Sequence, residues 1–260
     1  MTDQRQDKQI ELERYDQRAS SVLAAGRINE LGPDGPDDTP IELRAPYVLY
    51  ESHIKAHSRP GLRVLDLCCG NGQHSLVAAR LGADVVASDI APANVALTLA
   101  RARRAGLSLE GMVADAEQPP WPDETFDVVT LAGSLSYVDL EVFLRGVLRI
   151  LRPGGAFIFV DSLNHNPIYR LNRWLHYLRG RRSLSTLQRM PTLATLQRIR
   201  ADFPDLHVSF HGIFSFLSPV LRLAGPARTA HWLDAADRHL PILHRFGFKI
   251  VAVGHKSIGR

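Results

Sequence analysis

Two adjacent cysteines, Cys68 and Cys69, open a glycine turn in VLDLCCGNG, residues 64–72. Thiols can bind a metal, form a disulfide or attack a substrate, and the spacing weighs against each. Neighbouring cysteines have poor geometry for bonding to each other. Metal sites draw ligands at wider, repeated spacing, and neither Cys-x-x-Cys nor His-Glu-x-x-His occurs. Both thiols therefore read as small apolar fillers at a strand end, and no metal is expected.

The glycines carry more chemistry. Gly70 and Gly72 follow an apolar run, permit positive φ and let a ligand approach the backbone. Asp89 ends the next run, VVASD, where a carboxylate can accept two hydrogen bonds from the vicinal hydroxyls of a ribose. Alone, these features fit NAD, FAD or S-adenosylmethionine, or a plain tight turn beside an aspartate. The dinucleotide fingerprint Gly-x-Gly-x-x-Gly serves a pyrophosphate. Here the series is Cys68-x-Gly70-x-Gly72, with Ser75 where the last glycine would fall. Asp66, just before the turn, would repel a pyrophosphate and suits an ammonium or a water-bridged sulfonium. The loop favours S-adenosylmethionine over a nicotinamide cofactor.

Such a turn needs a sheet behind it. RVLDLC, DVVASD, LEGMVADA, FDVVTLAG and AFIFVDS are strand-like. They alternate with helix-like GQHSLVAARLG, APANVALTLARARRAG and DLEVFLRGVLRILRPGG, the last stopped by Pro153 and two glycines. This alternation predicts a doubly wound α/β sheet, mostly parallel, with ligands beyond the carboxyl ends of its strands. After Ser162 the regularity breaks. NPIYRLNRWLHYLRG and PTLATLQRIRADF read as helices and LHVSFHGI as a strand; residues 214–245 read as a helical insertion, and FKIVAVGHK closes the chain. The expected organisation is a helical lead-in and cover over 1–59, a cofactor-binding core over 60–162, and acceptor-site helices with the closing strands of the same domain over 163–260.

These motifs, in this order over about residues 60–162, resemble class I S-adenosylmethionine-dependent methyltransferases of the small-molecule type, close to methyltransferase domains 11 and 25. VLDLCCGNG resembles the family's glycine motif, with Cys68 in place of its first glycine. VVASDIA resembles the second motif, and VADAEQPPWPDETFDVVTLAGSLSYV the third and fourth strands. The resemblance implies a seven-stranded, Rossmann-like sheet whose last strand is antiparallel, with helical insertions after strands five and six. It implies S-adenosyl-L-methionine as cofactor and S-adenosyl-L-homocysteine as product. It places Asp66, Cys68, Gly70, Asn71 and Gly72 at the cofactor, Asp89 at the ribose, and Ile90 and Asn94 nearby. Asp115, Ala116 and Glu117 fall at the adenine edge, and Leu131, Ala132 and Gly133 after the fourth strand. ERYDQRA resembles a segment that closes over the cofactor, which makes Tyr15 and Arg18 candidates; an ordinary amphipathic helix is the alternative.

The acceptor must be held roughly 3 Å from the transferred methyl carbon, so segments after strands four and five are the place to look. They offer Ser136, Tyr137, Asp161, Asn164, His165 and Tyr169. His165 has the intrinsic pKa of a general base, with Asp161 or Tyr137 as partner or substitute; otherwise His165 and Asn166 cap the helix beginning near Pro167. Along that helix, Ile168, Leu171, Trp174, Leu175 and Leu178 share one face, while Arg170, Arg173 and Tyr177 form a flanking stripe. Arg179, Arg181 and Arg182 follow. If the arginines face the cleft, the acceptor carries a carboxylate or phosphate; if not, they are a solvated face.

The chain has 260 residues, 45% hydrophobic, with a net charge of +4. It can fill a core, and it shows neither a membrane-length apolar run nor an apolar leader, so a cytoplasmic protein is expected. The modest basic excess suits anionic small molecules. No Asn/Asp-Pro-Pro-aromatic motif follows the fourth strand, and basic residues do not interleave with aromatics over an extended tract, which argues against nucleic acid. The expected function is O-methylation of an anionic metabolite, sugar or natural-product intermediate in small-molecule biosynthesis. A nucleic-acid methyltransferase and an inactive cofactor-binding partner subunit are the alternatives. Residues 214–245 are expected to be a lid or a homodimer contact.

Overall fold

Apolar runs ending in glycine or aspartate become the strands of one seven-stranded sheet. The computed structural model describes residues 2–28, 39–178 and 184–258. Its strands are β1 (Arg63–Leu67), β2 (Asp84–Asp89), β3 (Glu110–Val113), β4 (Phe126–Ala132), β5 (Leu151–Ser162), β6 (His207–His211) and β7 (Lys249–His255), in the order β3-β2-β1-β4-β5-β7-β6. The pairs from β3 through β5 are parallel. β7 runs antiparallel between β5 and β6, as the resemblance implied. Strand order reverses between β1 and β4, which opens a crevice at the carboxyl end of β1.

Both faces of the sheet are covered, and successive side chains of a strand enter opposite cores. Val64 and Val128 pack with Tyr50 and Ile54 of α2 (Ala45–His57) and Val77 of α3 (Gln73–Ala79). Leu65 and Val129 pack on the other side with Phe143 and Leu144 of α5 (Leu140–Ile150) and Ile199 of α8 (Leu193–Asp202). Asp139 caps α5 by accepting the backbone N–H groups of Glu141 and Val142. β5 begins at Leu151 rather than Ala156, because Leu151 already pairs with Phe126 across a register shift. Pro153 and the two glycines thus belong to the strand's start, and α5 stops before them.

Helix α1 (Thr2–Ala24) lies against α4 (Pro92–Arg104). Between β5 and β6 come α6 (Pro167–Leu178), α7 (Leu184–Gln188) and α8. Between β6 and β7 come α9 (Ser218–Leu221) and α10 (Pro226–His239), matching the two expected insertions. Among the described residues no helix is long and apolar enough to cross a membrane. The Arg179, Arg181 and Arg182 cluster lies outside the described residues.

Candidate active site

The turn after β1 is built from left-handed backbone. Cys68 (φ 56°), Gly70 (φ 52°) and Gly72 (φ 81°) all adopt it. A residue with a Cβ is disfavoured there, which explains why the related motif has glycine where Cys68 stands. Gly72 is fixed by packing as well, since a Cβ on it would lie 2.5 Å from Thr98 Oγ1 of α4. A Cβ on Gly70 would meet only open space and the Cys68 carbonyl, so a ligand can approach the backbone at that point. Cys69 is buried beside Thr98, both cysteines are unpaired, and burial, aided by the Asp89 charge, pushes both thiols up. Cys69 is a packing residue, and Cys68 is only partly buried.

Asp89 ends β2 next to this turn. Its Oδ2 accepts the Gly70 N–H and its Oδ1 the Ala91 N–H, each at 2.9 Å. Each carboxylate oxygen keeps a second lone pair, so Asp89 can hold the turn and still receive ribose hydroxyls. Burial raises its pKa, opposed by those backbone bonds and by the Asn94 side chain. Asn94 therefore meets the site through Asp89. Arg101 was not singled out from the sequence: it clamps the turn by donating to the Asn71 carbonyl at 2.6 Å and ties it to Ile28 O at 3.2 Å. Asp66, expected to face the cofactor, is buried beneath the turn, where it accepts Ser75 Oγ–H at 2.5 Å and Thr130 Oγ1–H at 2.9 Å. Its carboxylate links β1, α3 and β4.

Above the turn lies a partly open cavity. Cys68, Ile90, Asp115 and Ala116 line it from the sheet side, with Ser136 and Tyr137 after β4. Its roof is Lys8 and Glu11 of α1, with Thr186 and Arg189 from α7 and its C-terminal flank. Lys8 Nζ lies 2.7 Å from both Asp115 Oδ2 and Glu117 Oε2. Burial lowers the Lys8 pKa, but these two carboxylates outweigh it and the net shift is upward. Glu117 also accepts the Asp139 N–H, and Asp16 of α1 accepts the Ala93 N–H at the start of α4. The lead-in helix is thus tied to the mouth at two places. Tyr15 approaches Tyr137 edge-on, with hydroxyls 3.4 Å apart, and Arg14 reaches the Tyr137 hydroxyl. Burial, reinforced by Tyr15, pushes the Tyr137 phenol up, so it stays protonated at neutral pH. Arg18 is exposed on the outer side of α1. Leu131 is core, while Ala132 and Gly133 (φ 70°) carry the chain out of β4 with space beside Gly133.

The acceptor-side residues are arranged differently from expectation. His165 Nε2 accepts the Leu193 N–H at 3.0 Å, so the lone pair of a would-be base caps α8. Asn166 caps α6 through Ile168 N–H and ties it to the Ile213 and Phe246 carbonyls. Asp161 is buried and accepts the Leu135 N–H at 2.9 Å, which sets the segment carrying Ser136 and Tyr137. Tyr169 bonds Ser215 and stacks on Phe248, and Asn164 accepts from Arg173.

Helix α6 is turned so that Arg173 is inside at 5% exposure, while Leu171 (57%), Trp174 (49%) and Leu178 (58%) face out. The buried guanidinium lies over the Phe248 ring and donates to Leu163 O and Asn164 Oδ1. Arg170 is exposed. The expected arginine stripe therefore does not line the cavity, and Arg189 stands there instead. Nor do residues 214–245 cover it; they pack beside β6, where Asp237 accepts the Gly212 and Ile213 N–H groups.

A glycine turn with an open backbone, a ribose-type carboxylate, and an Ile90–Ala116 wall ending at Asp115 fit S-adenosylmethionine. Fold and site together define a class I, Rossmann-like methyltransferase fold. Residues 65–159 match the family described as a methyltransferase domain. The chain is 38% identical over 105 residues to a ubiquinone biosynthesis O-methyltransferase of Rhizobium etli, covering 40% of this chain and 42% of that protein. The chain thus matches less than half the length of such curated relatives. Over the whole chain the fold is similar to the [4+2]-cyclase SpnF, with a TM-score of 0.64, 19% identity and 97% of each chain covered. It is also similar to a geranyl diphosphate C-methyltransferase from Streptomyces coelicolor, solved with Mg2+, geranyl diphosphate and S-adenosyl-L-homocysteine. There the TM-score is 0.55 at 17% identity, with 81% and 79% of the chains covered.

Proposed function

We propose that the protein is an S-adenosylmethionine-dependent methyltransferase acting on the oxygen of a small, anionic acceptor. The observation that carries this is the Gly70–Asp89 couple of the turn, next to a pocket lined by Cys68, Ile90, Asp115 and Ala116. The O-methyltransferase name of the Rhizobium etli relative supports oxygen as the acceptor atom. The bound cofactor would supply an electrophilic methyl group on a sulfonium.

The chain's own residues bind and orient. Asp89 accepts the ribose hydroxyls, Ile90 and Ala116 flank the base, and Asp115 meets its edge. Tyr137, held protonated and braced by Tyr15 and Arg14, offers a hydrogen bond to an incoming acceptor. Arg189 is the cation placed to face an anionic group on that acceptor. His165 and Asp161 act as positioning residues through Leu193 and Leu135. The exposed apolar arc of α6 is where a homodimer contact would form.

The test is transfer of labelled methyl from S-adenosylmethionine to a panel of phenols and alcohols, with and without a carboxylate or phosphate. Labelling of the anionic hydroxyl compounds is expected. Labelling of nucleic acid alone would favour the alternative, and tight cofactor binding with no transfer to any acceptor would favour an inactive partner subunit.

A further inference from the structure

At the opposite end of the sheet, two histidines 198 positions apart in sequence bring their Nε2 atoms to 3.3 Å. His57 is the last residue of α2, and His255 the last of β7. The protonation of both rings follows from their other nitrogens. His57 Nδ1 lies 2.8 Å from the His53 carbonyl, which can only accept, so Nδ1 carries the proton. His255 Nδ1 lies 2.6 Å from Asp205 Oδ2, an acceptor whose Oδ1 also takes the His255 backbone N–H. In the neutral rings both Nε2 atoms therefore present lone pairs to each other. That arrangement is unfavourable unless a proton or a metal ion sits between them.

Two nitrogens bound about 2.0–2.1 Å from a tetrahedral zinc ion stand about 3.3–3.4 Å apart. The observed separation of 3.3 Å matches that bite. A histidine that binds a metal characteristically gives its other N–H to a carboxylate or a backbone carbonyl. Asp205 and His53 supply one of each. The helix end beneath His57 adds partial negative charge. Among the described residues no three metal-binding side chains converge, so the pair would furnish two ligands, with water completing the set. An open cleft of about 670 Å³ adjoins both rings. Arg59 and Arg152 also line it; Arg152 is committed to Asp127 at 2.8 Å, and Arg59 is exposed at its edge.

We propose that His57 and His255 form a binding site for a divalent transition metal such as zinc, with Asp205 as a positioning residue. The ion would staple the end of α2, the end of β7 and the turn before β6. It would stand apart from the cofactor site, because His255 pairs with Ala156, which lies beside Val128 near the start of β4, whereas the cofactor turn lies at the strands' carboxyl ends. Sequence spacing could not reveal it, since the ligands come from the two flanks of the core.

Metal-free full-length protein is dialysed against excess zinc chloride and its melting temperature followed. One zinc per chain and a melting temperature that rises with zinc concentration are expected. His57→Gln and His255→Gln should each abolish uptake and rise, and Asp205→Asn should weaken uptake by about 10–100-fold. Should a variant fold poorly, imidazole NMR of the wild type decides. Zinc must shift two histidines selectively, and an anomalous-scattering peak must lie between the two Nε2 atoms. Absence of zinc uptake by the wild type, or uptake unaffected by both glutamine variants, would overturn the proposal.

Discussion

Replacing Cys68 by alanine and, separately, by glycine isolates the backbone strain in the cofactor turn. Both variants lose the same thiol, so packing cancels in the comparison. Cys68 sits at φ 56°, where a residue with a Cβ costs about 1–2 kcal/mol. Alanine keeps that cost and glycine removes it. Glycine in turn makes the unfolded chain more disordered, worth about 0.4–1 kcal/mol against it. The balance favours glycine by up to about 1.6 kcal/mol, or about 0.8 kcal/mol at mid-range. At an ordinary position the order is reversed, with alanine the more stable by about 0.4–1 kcal/mol. The two outcomes differ in sign, and urea denaturation at equal m-values resolves them. Alanine more stable than glycine would refute the left-handed assignment at Cys68 and with it the account of the turn.

Asp89→Ala should weaken S-adenosylhomocysteine binding by about 1.5–3 kcal/mol, the scale of a hydrogen bond to a charged group; unchanged affinity in calorimetry would remove Asp89 from the ribose. Gly72→Ala should destabilise by more than about 1 kcal/mol, because its Cβ meets Thr98, and Thr98→Ala should recover part of the loss in thermal unfolding. His165→Ala should cost about 1 kcal/mol of stability through loss of an acceptor for Leu193 N–H while kcat stays within a few-fold. A fall of about 10²–10⁴ would restore the general base. Burial, with His244 close by, lowers His211 to about 4. The unfolded state therefore takes up this proton first as pH falls below the ordinary histidine value, and stability drops between about pH 6.5 and 4. His211→Phe should flatten that part of the urea-midpoint profile, and an unaltered slope would contradict the assignment.

The turn and strand end of the candidate cofactor site are legible because their signals are local. Gly70, Gly72 and Asp89 are forced by a turn and a strand end, and each lies within a few residues of the motif that announces it. Arg101 escaped because a clamp on Asn71 from thirty residues away looks, in sequence, like one more arginine on a helix. Lys8 and Arg189 escaped for the same reason, as roof residues from segments outside the repeating pattern. On α6 the sequence period matches the helix but its orientation differs, with Arg173 inside and Leu171 and Trp174 outside. A helical pattern defines two faces without saying which one is inside, and Phe248 with the Leu163 and Asn164 oxygens gave Arg173 a buried place. His165 shows the same limit: its intrinsic pKa suits a base, but the Leu193 N–H that engages it belongs to a helix twenty-eight residues on.

The central claim, that the turn and Asp89 hold a nucleoside joined to an amino acid rather than a dinucleotide, is tested most directly by titration calorimetry of the wild-type protein with S-adenosylhomocysteine and with NAD+. One S-adenosylhomocysteine per chain and no heat from NAD+ are predicted. Saturable NAD+ binding with no response to S-adenosylhomocysteine would contradict the account.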